Sequence, residues 1–178
     1  MRADAQRNYE RILAAAVAEV ARTGADASLE KIARDAGVGS ATLHRHFPSR
    51  RDLLEAIFHD RVDNLCAQAR ELAAAAKPGE ALADWLRALA VYSATNRGLA
   101  ASLLALAREP APPAMNSCEV QLHEAGGRLL RSAQDAGAVR PQVAIDDLLT
   151  VVNAISLATE DGATAARLVT LAIEGINP

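Results

Sequence analysis

The sequence predicts an all-α chain, and three observations carry that expectation. Alanine, the strongest helix former, supplies 41 of the 178 residues. Aromatic residues make up 3% of the chain, and little Val or Ile competes for strands. Apolar residues also recur at three- and four-residue spacing between glycine and proline breaks. The length suits one large domain, or a small domain fused to a medium one.

The first helix is expected from about Gln6 to Thr23, with Tyr9, Ile12, Leu13, Ala16, Val17 and Val20 along one face and Gly24 ending it. Ser28 is a suitable N-cap for a second helix, and Glu30 in its first turn faces the positive end of the dipole. Leu29, Ile32, Ala33 and Ala36 form its inner face, and Gly37 stops it. Ser40 can cap a third helix that runs only to Phe47, because Pro48 cannot continue it. Ser49-Arg50-Arg51-Asp52 has the outline of a capping box opening a longer fourth helix, which Lys77-Pro78-Gly79 ends. Further helices are expected at Glu80–Asn96, Leu99–Arg108, Ser117–Ala136, Val143–Ala158 and Asp161–Gly175. Gly126-Gly127 falls inside one of them, so either two backbones approach closely there or the helix bends.

The formal net charge is −3, which excludes a global basic field, so any anion-binding surface must be local. Cys66 and Cys118 are the only cysteines and lack zinc-type spacing, which reads as two buried reduced thiols. Met1 to Gln6 is polar and shows no signal pattern, and the longest apolar run, Gly98 to Ala107, is short of the roughly 18 residues a span needs. A soluble, cytoplasmic chain without membrane contact is expected.

A local basic surface does exist. No carboxylate stands between Asp35 and Asp52, while Thr42, His44, Arg45, His46, Arg50 and Arg51 fall in that interval. At 100° per residue Leu43 and Phe47 of the short helix point inward, and Arg45 and Ala41 point away, flanked by Thr42 and His44. A helix of this length is not stable alone and must be held by packing. Two helices joined by a glycine turn, the second offering a cation, imidazoles and small side chains, form a helix-turn-helix suited to the DNA major groove.

The run SLEKIARDAGVGSATLHRHFPSRRDLL resembles the DNA-binding signature of TetR-family regulators: IARDAGV for the second helix and turn, TLHRHF for the recognition helix, PSRRDLL for the start of the fourth. The resemblance implies an N-terminal three-helix DNA-binding domain, residues 1–52, followed by a helical-bundle ligand-binding and dimerisation domain, residues 53–178. It assigns Thr42 and His44 to the phosphate backbone, and Arg45 with Ser40 and Ala41 to the bases. Arg50 takes phosphate where the family usually has lysine, and Ser28, Lys31, Gly39 and His46 complete the expected surface. His44 stands where the family most often has tyrosine; an imidazole can still donate to a phosphate, more strongly when protonated. Arginine bidentate to guanine is the commonest specific base contact, which makes Arg45 the candidate for readout.

The plainer reading of Arg45, Arg50 and Arg51 is a solvated basic face; a metal site at His44 and His46 is discounted, since residues two apart diverge on a helix and would need partners from elsewhere, and His59 and His123 read as ordinary surface or core histidines. No nucleophile elbow, phosphate-cradling glycine loop or helical His-Glu-x-x-His box is present, so neither enzyme, cofactor nor metal is expected. Trp85, Tyr92, Met115, Cys118, Leu122 and His123 are candidates to line an effector cavity, against the alternative of simple core packing. The family builds its dimer from the last two helices, which here offers Leu148, Leu149, Val152, Ile155, Leu168, Val169, Ala172 and Ile176 as an interface, or alternatively as intrachain core. The expectation is a homodimeric repressor that binds a near-palindromic double-stranded operator and responds to an unknown small molecule. A helical protein-interaction module and a small helical-bundle enzyme are the competing classes.

Overall fold

The computed structural model describes residues 2–23, 27–95 and 113–175, the side chains of 2, 3 and 113–117 excepted. Among the described residues there are eight α-helices and no strand: α1 Arg2–Thr23, α2 Leu29–Asp35, α3 Ser40–His46, α4 Arg50–Ala75, α5 Pro78–Thr95, α6 Pro113–Asp135, α7 Ile145–Ala158 and α8 Gly162–Glu174. The helix expected at Leu99–Arg108 lies outside the described residues.

Three helices begin earlier than the pattern of apolar residues suggested, each for a local reason. α1 gains a polar first turn, in which Arg7 pairs with Asp4 and Gln6 Nε2 donates to Glu10 at 2.9 Å. α5 and α6 both open on a proline, which has no N–H to leave unpaired in a first turn. Pro78 therefore starts the helix it was expected to precede. The capping box is present as read: Ser49 Oγ accepts the Asp52 N–H at 3.2 Å, and the Asp52 carboxylate accepts the Ser49 N–H at 2.9 Å. For α8 the cap is Asp161, whose carboxylate accepts the Thr164 N–H at 2.8 Å.

The chain forms two compact units, one comprising α1 to α3 and α4 as far as Asp60, the other α4 from Arg61, α5, α6 from Asn116, α7 and α8. The sequence reading placed the division at residue 52. α4 is unbroken there, and Leu53, Leu54 and Ile57 of its early turns sit in the first unit's core with Ile12, Ile32 and Leu43.

In the second unit α5 is the central element. Trp85 is fully buried, and its indole Nε1 donates to the Leu65 carbonyl of α4 at 3.0 Å. A Cβ on Gly126 of α6 would lie 2.7 Å from both Trp85 Cζ3 and Ile145 Cδ1, so the first of the paired glycines marks a close approach. α8 crosses α5 closely as well, since a Cβ on Gly162 would come within 3.0 Å of Val91 Cγ1. Arg87 Nε donates to Thr170 Oγ1 at 2.9 Å, and Ser156 Oγ donates to Ala90 O at 3.3 Å, which ties α8 and α7 to the same helix.

Candidate nucleic-acid interface

The turn between α2 and α3 is built from backbone hydrogen bonds and one positive dihedral. The Ala36 N–H donates to Ile32 O at 2.9 Å and the Val38 N–H to Ala33 O at 2.9 Å. Gly37 adopts φ +65, which costs other residues roughly 1–2 kcal/mol, and Arg11 of α1 lies directly over it. Gly39, not Ser40, is the N-cap of α3: its carbonyl accepts from Thr42 and Leu43, and no side chain caps the helix. The Ser40 hydroxyl is therefore left exposed on the first turn rather than folded back onto the backbone.

α3 is held from its inner side. Leu43 and Phe47 are buried, and Phe47 stacks on Tyr9 of α1 with ring centroids 5.2 Å apart. Ser40, Ala41, His44 and Arg45, spaced i, i+1, i+4, i+5, are all exposed and make one outward face. Arg45 enters no ion pair among the described residues. Thr42 is half-buried beside this face. His46 turns inward, half-buried and edge-on to Tyr9 at 6.2 Å.

The other expected contact residues have structural duties. Ser28 caps α2, its Oγ accepting the Lys31 N–H at 3.3 Å. Arg50 donates from Nη2 to the Ala27 carbonyl at 2.8 Å, which clamps the start of α4 to the segment entering α2. Arg51 is paired with Glu55 at 2.8 Å. Lys31 is paired with Asp35 and, at 3.3 Å, with Glu19 of α1.

Sequence reading did not single out Glu19. It is 3% exposed, bound by Arg22 at 2.7 Å and by Lys31, and it joins α1 to α2. Arg22, and after it Lys31, hold its carboxyl below the usual carboxylate range against the opposing push of burial, and Lys31 does the same for Asp35. A lowered folded-state value means the unfolded chain takes up its proton first. The stabilisation is thus present above about pH 4.3, the ordinary glutamate value, and is lost as pH falls through the lowered one. Acid unfolding followed by circular dichroism should be steeper for the wild type below that pH than for Glu19→Gln; identical profiles would show the pair to be inert.

The candidate cavity residues fall in different places. Trp85 and Cys118 are buried in the second unit and Tyr92 is half-buried there, its hydroxyl pushed up by desolvation. Leu122 and His123 line an open groove of about 610 Å³ with Leu89, Val120, Leu149 and Asn153, where His123 Nε2 meets Asp146 at 3.1 Å. The Met115 side chain and Ile176 lie outside the described residues. Of the expected dimer positions, Leu148, Val152 and Val169 are buried within the chain's own core, and Leu149, Ile155, Leu168 and Ala172 are half-buried. The exposed large apolar side chains of α7 and α8 are Val151, Leu157 and Leu171. No helix among the described residues is long and apolar enough to cross a membrane.

Comparison with known proteins gives these elements a context. Residues 12–57 match the family model described as bacterial regulatory proteins, tetR family, and residues 77–178 match that of the SbtR-like transcriptional regulator C-terminal domain. The chain is similar to the TetR transcriptional regulator SCO0520 from Streptomyces coelicolor, with 34% identity over 96% of this chain and 98% of that one and a TM-score of 0.83. It is similar to a TetR transcription regulatory protein from Mycobacterium vanbaalenii at 33% identity, 99% of each chain and TM-score 0.82. The ketosteroid transcriptional regulator KstR2 of Mycobacterium tuberculosis shares the fold, at 20% identity over 96% of this chain and 95% of that one, TM-score 0.64. No curated relative matches the chain.

Proposed function

The chain belongs to the TetR family of DNA-binding transcriptional regulators, and from that premise we propose that it acts in the cytoplasm as a homodimeric repressor of a near-palindromic operator, released by a small-molecule effector. The observation that supports this reading is the outward face of α3, where Ser40, Ala41, His44 and Arg45 stand exposed above the buried anchors Leu43 and Phe47. Residues 1–52 carry the DNA contacts in this reading, and residues 53–178 carry effector binding and dimerisation. Arg45 reads a base edge, Thr42 and His44 meet phosphate, and Arg50 braces the α4 start while meeting phosphate beside it. Two such faces must lie about one DNA turn apart, roughly 34–36 Å, to engage successive major grooves. Val151, Leu157 and Leu171, with the half-buried Leu149, Ile155, Leu168 and Ala172, offer the apolar surface that a symmetric four-helix contact would cover.

Operators selected from random duplexes, followed by titration across salt, test the reading. Arg45→Ala should cost about 1–3 kcal/mol on the selected site and relax preference at one base position. Arg50→Ala should weaken all sequences alike and reduce the salt slope by about 1. Equal loss of sequence preference in both variants would contradict the assignment of roles.

A further inference from the structure

The outer face of α3 carries a group that changes charge near neutrality. An imidazole is the one side chain whose ordinary titration falls between about pH 5 and 8, and the chain has four histidines. His123 belongs to the second unit, where it meets Asp146. His59 is half-buried on α4, more than two turns past the start of that helix. His46 is half-buried and turned edge-on to Tyr9. His44 alone of the four stands on the outer face of α3, exposed beside Arg45 and one turn from Ser40.

Its surroundings leave an anion to be supplied from outside. His44 enters no hydrogen bond, ion pair or ring contact among the described residues. The cations of the helices packed against α3 include Arg11 over the Gly37 turn, Arg34 in the last turn of α2, and Arg50 and Arg51 at the start of α4. The carboxylates of those helices are engaged within the chain: Glu10 by Gln6, Glu19 by Arg22 and Lys31, Asp35 by Lys31, Asp52 by Ser49 and Glu55 by Arg51. Glu30 sits in the first turn of α2, at the positive end of its dipole. A duplex brings what the chain does not, about one negative charge per 1.7 Å of its axis. An opposite charge within about 4–6 Å favours the charged form of a titrating group.

We propose that DNA binding takes up a proton from solvent at His44, so that the hold on the operator tightens as pH falls and loosens as it rises. The proposal rests on the reading of the α3 outer face as the DNA-contacting surface and names a regulation of that same site. Its sign follows from linkage. The complex keeps the proton more firmly than the free chain does. The gain is therefore complete below the imidazole's value in the free chain, and it is lost as pH rises through the higher value in the complex.

Titration of the full chain with its selected operator at constant ionic strength, from about pH 6 to about pH 8, tests this. The wild type should bind about tenfold more weakly at the upper end. His44→Gln should bind equally across the range, at the weaker strength. His44→Lys, which keeps its charge throughout, should also be level but at the stronger one. His59→Gln should keep the wild-type dependence. Binding heats measured near neutrality in PIPES and in Tris should differ for the wild type, because the buffer gives up the proton, and should agree for His44→Gln. The proposal is overturned if wild-type affinity is level across the range, if the dependence survives His44→Gln, or if His46→Gln removes it instead. Binding that is level with pH removes this proposal alone, whereas a chain that ignores every duplex at every pH removes the DNA reading with it.

Discussion

Phe47→Ala is expected to abolish specific DNA binding and to lower stability by about 3–5 kcal/mol, the usual range for truncating a buried aromatic. α3 spans only Ser40–His46, too short to persist without support. Phe47 supplies that support twice: its ring packs on Tyr9, and its N–H closes the helix onto the Leu43 carbonyl at 2.8 Å. Removing the ring leaves the outward face without a floor, although none of the outward residues is altered. Thermal melts with DNA titration of Phe47→Ala and Phe47→Leu check this. The leucine variant should keep most of both properties, and an alanine variant that binds DNA at wild-type strength would refute the anchoring argument.

The adjacent glycines of α6 should respond to substitution with opposite signs. Any Cβ at Gly126 collides with the Trp85 ring and with Ile145, and Trp85 cannot yield without losing its bond to Leu65. Overpacking of this kind costs about 1–3 kcal/mol or more and outweighs the roughly 1 kcal/mol that alanine gains over glycine in a helix. Gly126→Ala should therefore lower the melting temperature, and Gly126→Val should lower it further. At Gly127 a Cβ would meet only Arg131 Nη1 at 3.5 Å, an ordinary contact. Gly127→Ala should be neutral to stabilising, by up to about 1 kcal/mol. Differential scanning calorimetry of the three variants decides it, and a stabilised Gly126→Ala would mean that the α5–α6 packing is misread.

The glycine pair shows where sequence reading stops. Its cost to a helix is local and visible, but its purpose depends on an indole on another helix, which no window around residue 126 contains. The same limit explains Glu19, a charge on the side of α1 that carries Ala16 and Val20; Arg22 one turn on answers part of it, and the second partner, Lys31, stands on another helix. By contrast, the Ser49–Asp52 box, the stop at Pro48 and the inward Leu43 and Phe47 depend on residues within one turn of each other, and they were readable. The last two helices are apolar on more than one side. Periodicity identified them as packed, yet could not tell that Leu148, Val152 and Val169 serve the chain's own interior while Val151, Leu157 and Leu171 face out. For Arg50 the pattern gave a cation at a helix start, and the Ala27 carbonyl that it clamps lies across the turn-bearing segment.

The ion pairs of the first unit bear on how strongly such a regulator holds an arbitrary duplex. Arg22, Lys31 and Arg51 each lie against a carboxylate of the same chain, so they displace few counterions when an arbitrary duplex comes near. Binding to a random duplex is therefore expected to be weak with a shallow salt slope, and titration of a non-operator fragment across salt checks it.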